Sequence, residues 1–154
     1  MPPANYFIDT SALFKRYVTE SGSDVMASIF AADANRFISA ITTVEVVSNL
    51  RRLVDVDYVI SEEDFGIVRT MFFQDIAESR LELVELSPSL LIKSLEICTA
   101  QYVSPLDALQ LASALDMAEK PFFVCSDKKL LQLAAGKGLP IIDPLQGFGL
   151  LPVQ

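Results

Sequence analysis

The stretch NYFIDTSALFKRY, Asn5 to Tyr17, joins two patterns. Tyr6, Phe7 and Ile8 read as a short buried strand, and Ala12, Leu13, Phe14, Tyr17 and Val18 recur at helical spacing directly after it. Asp9 sits at the seam. A carboxylate between two apolar elements is costly to desolvate unless it caps a helix, pairs with a cation or holds a metal. The reading of the whole chain turns on which of these Asp9 does.

The same strand-to-helix succession recurs further on. Strand candidates are Tyr6 to Ile8, Phe37 to Ser39, Leu81 to Glu85, Phe122 to Cys125 and Pro140 to Ile142, each short and β-branched or aromatic. Helical patterns cover Ser11 to Thr19, Ser23 to Ala32, Thr43 to Leu53, Glu62 to Ser79, Pro88 to Tyr102, Pro105 to Ala118 and Lys128 to Ala135. This alternation predicts an α/β fold, with right-handed crossovers and a mostly parallel sheet covered on both faces. Gly136 and Gly138 in AAGKGLPIIDP read as a helix C-cap leading into the last strand. Neither GxxxxGK[ST] nor GxGxxG occurs, so ATP and dinucleotide binding lose their usual sequence support.

With 154 residues, 51% of them hydrophobic, the chain is long enough for a single domain spanning residues 1–154. No long uncharged apolar run is present, and MPPANYF lacks the basic and apolar regions of a signal peptide. A soluble, cytoplasmic protein with no membrane attachment is expected. Cys98 and Cys125 have apolar neighbours and are expected to be reduced, buried thiols. The absence of histidine removes Ser-His-Asp and Cys-His catalysis, HExxH zinc chemistry and histidine-based ribonuclease mechanisms together. A net charge of −8 argues against a broad electrostatic grip on nucleic acid.

In open α/β sheets, sites form where strand C-termini meet helix N-termini. Four acids fall there. Asp9 ends the first strand, Glu45 follows the second in SAITTVEVV, Asp107 opens LDALQLASAL, and Asp127 follows the fourth strand in FFVCSDKKLL. Each has a capping reading: Thr42 to Glu45 matches a capping box, Ser104-Pro105-Leu106-Asp107 places an acid at N3, and Asp9 or Asp127 can itself be an N-cap. Ser61 to Asp64 has the same pattern and reads as a cap only. Ser87-Pro88-Ser89-Leu90, however, starts a helix with no acid at N3, so capping does not demand Asp107. The helix that Asp107 opens carries Ala108, Leu109, Leu111, Ala112, Ala114 and Leu115 on nearly all faces, as a buried helix does. No Lys or Arg lies between Lys93 and Lys120 to pair with it. Converging carboxylates repel unless divalent cations balance them, and oxygen-only ligands suit Mg²⁺ or Mn²⁺.

The fragments YFIDTSALFKRYV, TTVEVVSNL, LDALQLASAL and VCSDKKLLQLAAGKGLPIIDP together resemble the ordered four-acid pattern of PIN-domain ribonucleases, particularly the VapC-type toxins of toxin–antitoxin pairs. The resemblance covers Tyr6 to Pro144. It implies a PIN-like α/β/α sandwich with a five-stranded parallel sheet, a Mg²⁺ or Mn²⁺ site, endonucleolytic cleavage of RNA, homodimerisation and a cognate antitoxin. By motif position, Asp9, Glu45, Asp107 and Asp127 are the catalytic and metal-binding acids. Two positions depart from the pattern: Gln110 stands where such toxins often have His, and Cys125 where Thr is frequent.

Metal-held carboxylates replace the missing histidine by activating water and stabilising an in-line phosphoryl transition state. Asp9 and Asp107 are assigned as direct ligands, with Glu45 and Asp127 completing the shell. Ser11 is either a supporting hydrogen-bond donor at the site or an N-terminal cap. Two bound divalent ions bring the formal charge from −8 to −4, and Lys15, Arg16, Arg51, Arg52, Lys128 and Lys129 are candidate phosphate contacts. Phosphotransfer on aspartate is a rival, but it requires paired acids where Asp9-Thr10-Ser11 has one. A second rival is a non-catalytic binding module, with its acids as caps and an apolar groove for a protein partner around Met71, Phe72 and Phe73.

Overall fold

The computed structural model describes residues 2–147. Along the chain run β1 (Ala4–Ile8), α1 (Thr10–Tyr17), α2 (Ser23–Ala31), β2 (Ala34–Ser39), α3 (Ala40–Asp55), α4 (Glu62–Ala77) and β3 (Glu82–Val84). Then come α5 (Pro88–Ala100), α6 (Pro105–Leu115), β4 (Phe122–Val124), α7 (Lys128–Gly136), β5 (Ile141–Ile142) and a 3₁₀ turn (Pro144–Gln146). The five strands form one parallel sheet in the order β3-β2-β1-β4-β5.

Strand side chains alternate between faces, and here both faces are apolar. Ile8, Val124 and Ile142 point to one layer, where they meet Leu13 of α1, Met26 and Ile29 of α2, Leu50 of α3 and Phe72 of α4. Their neighbours Phe7, Phe123 and Ile141 point to the other, against Leu90 of α5, Leu111 of α6 and Leu130 and Leu131 of α7. The Phe7 and Phe123 rings stack 6.0 Å apart across paired strands. The result is a three-layer α/β/α sandwich. Strand order reverses beside central β1, and a crevice forms at such a reversal outside the strand C-termini.

The helix starts follow local chemistry, with one correction. Ser61 and Asp64 make the reciprocal capping box of α4, and Ser87 caps α5 without help from an acid. Thr42, however, does not start α3. Ser39, the last residue of β2, accepts a hydrogen bond from the Ile41 N–H, and the helix begins at Ala40. Three hydroxyl residues compete for that cap within ISAITT, and the one at the strand end takes it. Thr42 therefore lies inside the first turn, and Glu45 lies inside the helix, where it caps nothing. The expected C-cap of α7 is present: Gly136 is the final helical residue, Lys137 is the cap, and Gly138 follows with the left-handed φ of +91°. Cys125 is buried as expected, whereas Cys98 is exposed on α5, whose Leu90, Ser94 and Ile97 face inward instead.

Candidate active site

The Asp9 N–H donates to the Val124 carbonyl at 3.0 Å, tying the first acid to the end of β4. Its side chain caps α1: Oδ1 accepts from the Ala12 N–H at 3.1 Å and from the Ser11 hydroxyl at 2.8 Å. The Cys125 thiol donates to Oδ2 at 3.3 Å. Asp9 is only 4% exposed, and burial pushes its carboxyl up to about 6 despite these donors, with the charge of Asp107 adding a smaller push. Burial raises the Cys125 thiol too, reinforced by the adjacent Asp9, so the sulfur stays protonated and donates. Asp9 is thus a helix cap, but one that capping leaves short of its solvation in water.

Glu45 projects from the second turn of α3. Its Oε1 accepts from the Thr10 hydroxyl at 2.9 Å and from Nε2 of Gln110 at 3.3 Å. The same Gln110 nitrogen donates to Oγ1 of Thr42 at 2.7 Å. Thr10, Thr42 and Gln110 are all buried, and Oε1 of Gln110 has no hydrogen-bond partner among the described residues. Asp107 is the third residue of α6; its N–H donates to Ser104, the N-cap, at 3.3 Å. Burial raises the Asp107 carboxyl, and the charge of Asp127 adds to that against the lowering effect of Ser104. Asp127 caps α7, accepting from the Leu130 N–H at 3.0 Å.

All four acids and Ser11 line one cavity of about 210 Å³, together with Thr10, Asn49 and Gln110. Among the described residues, no lysine or arginine lines it. Among the described residues, no three Asp, Glu or Cys side chains close on a single ion position. The acids share a cavity without forming a ready-made cage. That donor set fits Mg²⁺ or Mn²⁺: every donor is oxygen, no side-chain cation competes, and Mg²⁺ commonly takes one or two carboxylates while keeping several waters.

Sequence reasoning did not assign Thr10, Thr42 and Asn49 to the site. Asn49 carried a signal, standing four residues after Glu45 on one helical face. The threonines carried none, because their partners lie far away in the chain. Four of the six cations proposed as phosphate contacts are already engaged: Lys15 with Glu20, Arg16 with Asp75, Arg51 with Glu62 and Arg52 with Asp57. Lys128 and Lys129, exposed at the start of α7, have no ion pair among the described residues.

Comparison with known proteins agrees with this architecture. A toxin–antitoxin complex from Klebsiella pneumoniae superposes with a TM-score of 0.62 at 16% identity, over 90% of this chain and 97% of that one. FitAcB from Neisseria gonorrhoeae gives 0.64 at 11% identity, over 90% and 97%. VapBC2 from Rickettsia felis, bound to a DNA fragment from its promoter, gives 0.64 at 16%, over 90% and 98%. No curated protein matches the sequence significantly. The family profile of the PIN domain matches residues 6–136, a span that covers most of the chain and within which the four acids lie. The chain therefore belongs to the PIN-domain family, whose members are in general nucleases.

Proposed function

We propose that the chain is a Mg²⁺- or Mn²⁺-dependent endoribonuclease acting as the toxin of a type II toxin–antitoxin pair. One observation carries the reading: four carboxylates from four separated segments line one cavity that, among the described residues, no lysine or arginine lines. Asp9 and Asp107, both with raised proton affinity for want of solvent and counter-charge, are the residues to hold the ion directly. Glu45 and Asp127 complete the shell. When bound, the ion supplies water activation at neutral pH and positive charge against the scissile phosphate. The chain's own groups supply position. Thr10 and Gln110 hold the Glu45 carboxylate in place, and the Ser11 hydroxyl and Cys125 thiol hold Asp9.

The antitoxin partner rests on the toxin–antitoxin complexes among the similar structures. The accompanying homodimer is supported by Leu91, Ile92 and Leu95, which leave an apolar stripe of α5 exposed. The rival, a binding module whose acids are caps, meets a specific obstacle in Glu45, which caps nothing and is held by two buried polar residues, Thr10 and Gln110. Its apolar groove also loses Phe72 to the core, leaving Met71 and Phe73 exposed.

Incubating the protein with structured RNAs in Mn²⁺, Mg²⁺ or EDTA, beside Asp9→Asn, tests the proposal. Cleavage is expected only with a divalent ion, and the variant is expected to lose about 100-fold or more of it. EDTA-resistant cleavage that survives Asp9→Asn would contradict it.

A further inference from the structure

Asp107 and Asp127 also line a second, larger cavity of about 720 Å³, an open groove alongside the acidic one. One wall is the segment 101–104 that leads into α6; the other is a single face of α7. Lys129, Gln132, Leu133, Gly136 and Lys137 line that wall at helical spacing, i, i+3, i+4, i+7 and i+8, so they form one stripe. At the rim of this groove stands Tyr102, 92% exposed, an aromatic ring presented to solvent. Lys129 and Lys137 are exposed and have no ion pair among the described residues. In contrast, Lys15, Arg16, Arg51, Arg52, Arg80 and Lys93 are each held by a carboxylate. On a molecule of net charge −8, two lysines without ion pairs, about 12 Å apart in backbone rise along one helix face, complement a polyanion locally, where the average surface would repel it.

We propose that this groove receives the single-stranded RNA flanking the cut, with one base stacked on Tyr102 and backbone phosphates against Lys129 and Lys137. The strand must be unpaired there, because a base inside a duplex has both faces covered and cannot stack on a protein ring. The inference rests on the nuclease reading, since the groove takes its meaning from the two acids it shares with the candidate site. It adds three strand contacts outside the acidic cavity, one stacking ring and two ammonium groups, which position the RNA for the cut.

Fluorescence anisotropy in EDTA, with a labelled unstructured RNA of about ten nucleotides, reads binding apart from cleavage. Tyr102→Ala is expected to weaken binding by about 5- to 150-fold, while Tyr102→Phe, which keeps the ring, binds as the parent does. Changing Lys129 and Lys137 together to Gln should reduce the slope of log affinity against log salt by about 1.4. Gly136→Glu supplies an independent variant: a Cβ there meets nothing within 4 Å, so the substitution adds a negative charge on the groove face of α7 that repels the strand. A duplex of the same sequence should bind more weakly and ignore Tyr102→Ala. Cleavage in Mn²⁺ is then measured on the same set. A parent that binds through Tyr102 but does not cut upholds the groove and ends the nuclease reading. One that cuts while Tyr102→Ala and Gly136→Glu bind and cut unchanged overturns the groove and leaves the nuclease standing. A parent that neither binds nor cuts overturns both.

Discussion

Three hydrogen-bond donors surround the Asp9 carboxyl, yet burial still outweighs them. Because the folded-state pKa, about 6, lies above that of a free aspartate, folding favours the protonated form. Keeping Asp9 ionised therefore costs about 3 kcal/mol above that value, and the cost fades as pH falls from about 6 toward 4. Asp9→Asn retains an oxygen to cap the Ala12 N–H and removes the charge. Without metal, the variant should be more stable than the parent by about 1–3 kcal/mol near pH 7.5, with the gap closing near pH 4. Urea unfolding at several pH values in EDTA measures this; a variant less stable at neutral pH would show that the charged cap outweighs desolvation. The four acids were legible at this scale because each stands at or just after a strand end or helix start, and short-range patterns reveal that. The grip on Glu45 was not, since Gln110 and Thr10 are 65 and 35 residues away from it.

At the scale of elements, the least legible feature is Asp75, on the inner face of α4. In FFQDIAESR it looks like an ordinary acid of a solvated helix, but it is buried, and its partners are distant in sequence. Arg16 grips it with Nε at 2.9 Å from Oδ2 and its second nitrogen at 3.1 Å from Oδ1, while Tyr17 donates at 2.5 Å and Arg80 at 2.5 Å. Burial alone would raise this carboxyl, but hydrogen bonds from Arg16, Tyr17 and Arg80 outweigh it and hold the carboxyl below the usual range. These contacts tie α1 to α4 and to the approach to β3. Asp75→Ala should cost about 2–4 kcal/mol, reduced from the buried-pair range because both arginines reach solvent. The sign with pH opposes that of Asp9. A depressed pKa gives stability that is full above the unfolded value near 4 and is lost as pH falls through the folded one. Acid unfolding of parent and variant should therefore converge at low pH; a constant difference down to about pH 2 would show packing, not charge, at work. Helix starts were legible where a single hydroxyl preceded the apolar pattern, at Ser61, Ser87 and Ser104, and misplaced at α3, where three competed.

For the molecule as a whole, the five-strand parallel sandwich was readable because fully buried parallel strands are short apolar runs separated by helical periods. What periodicity could not supply was strand order, and with it the crevice beside β1 that brings residues about 120 positions apart around one cavity. The central claim is that these acids are kept together for a cation, and that Asp9, Asp107 and Asp127 are not merely acids at helix starts. Thermal melts of the parent and Asp107→Asn, each in EDTA and in Mg²⁺, test it most directly. In EDTA the variant should be as stable as the parent or more so, because neutralising Asp107 relieves repulsion from Asp127 and Asp9. Mg²⁺ at about 100 times its dissociation constant should stabilise the parent by about 2.7 kcal/mol and the variant by much less. Equal destabilisation of Asp107→Asn in both conditions, by the roughly 0.5–1 kcal/mol of a lost N3 acid, would contradict the claim and reduce the acids to caps.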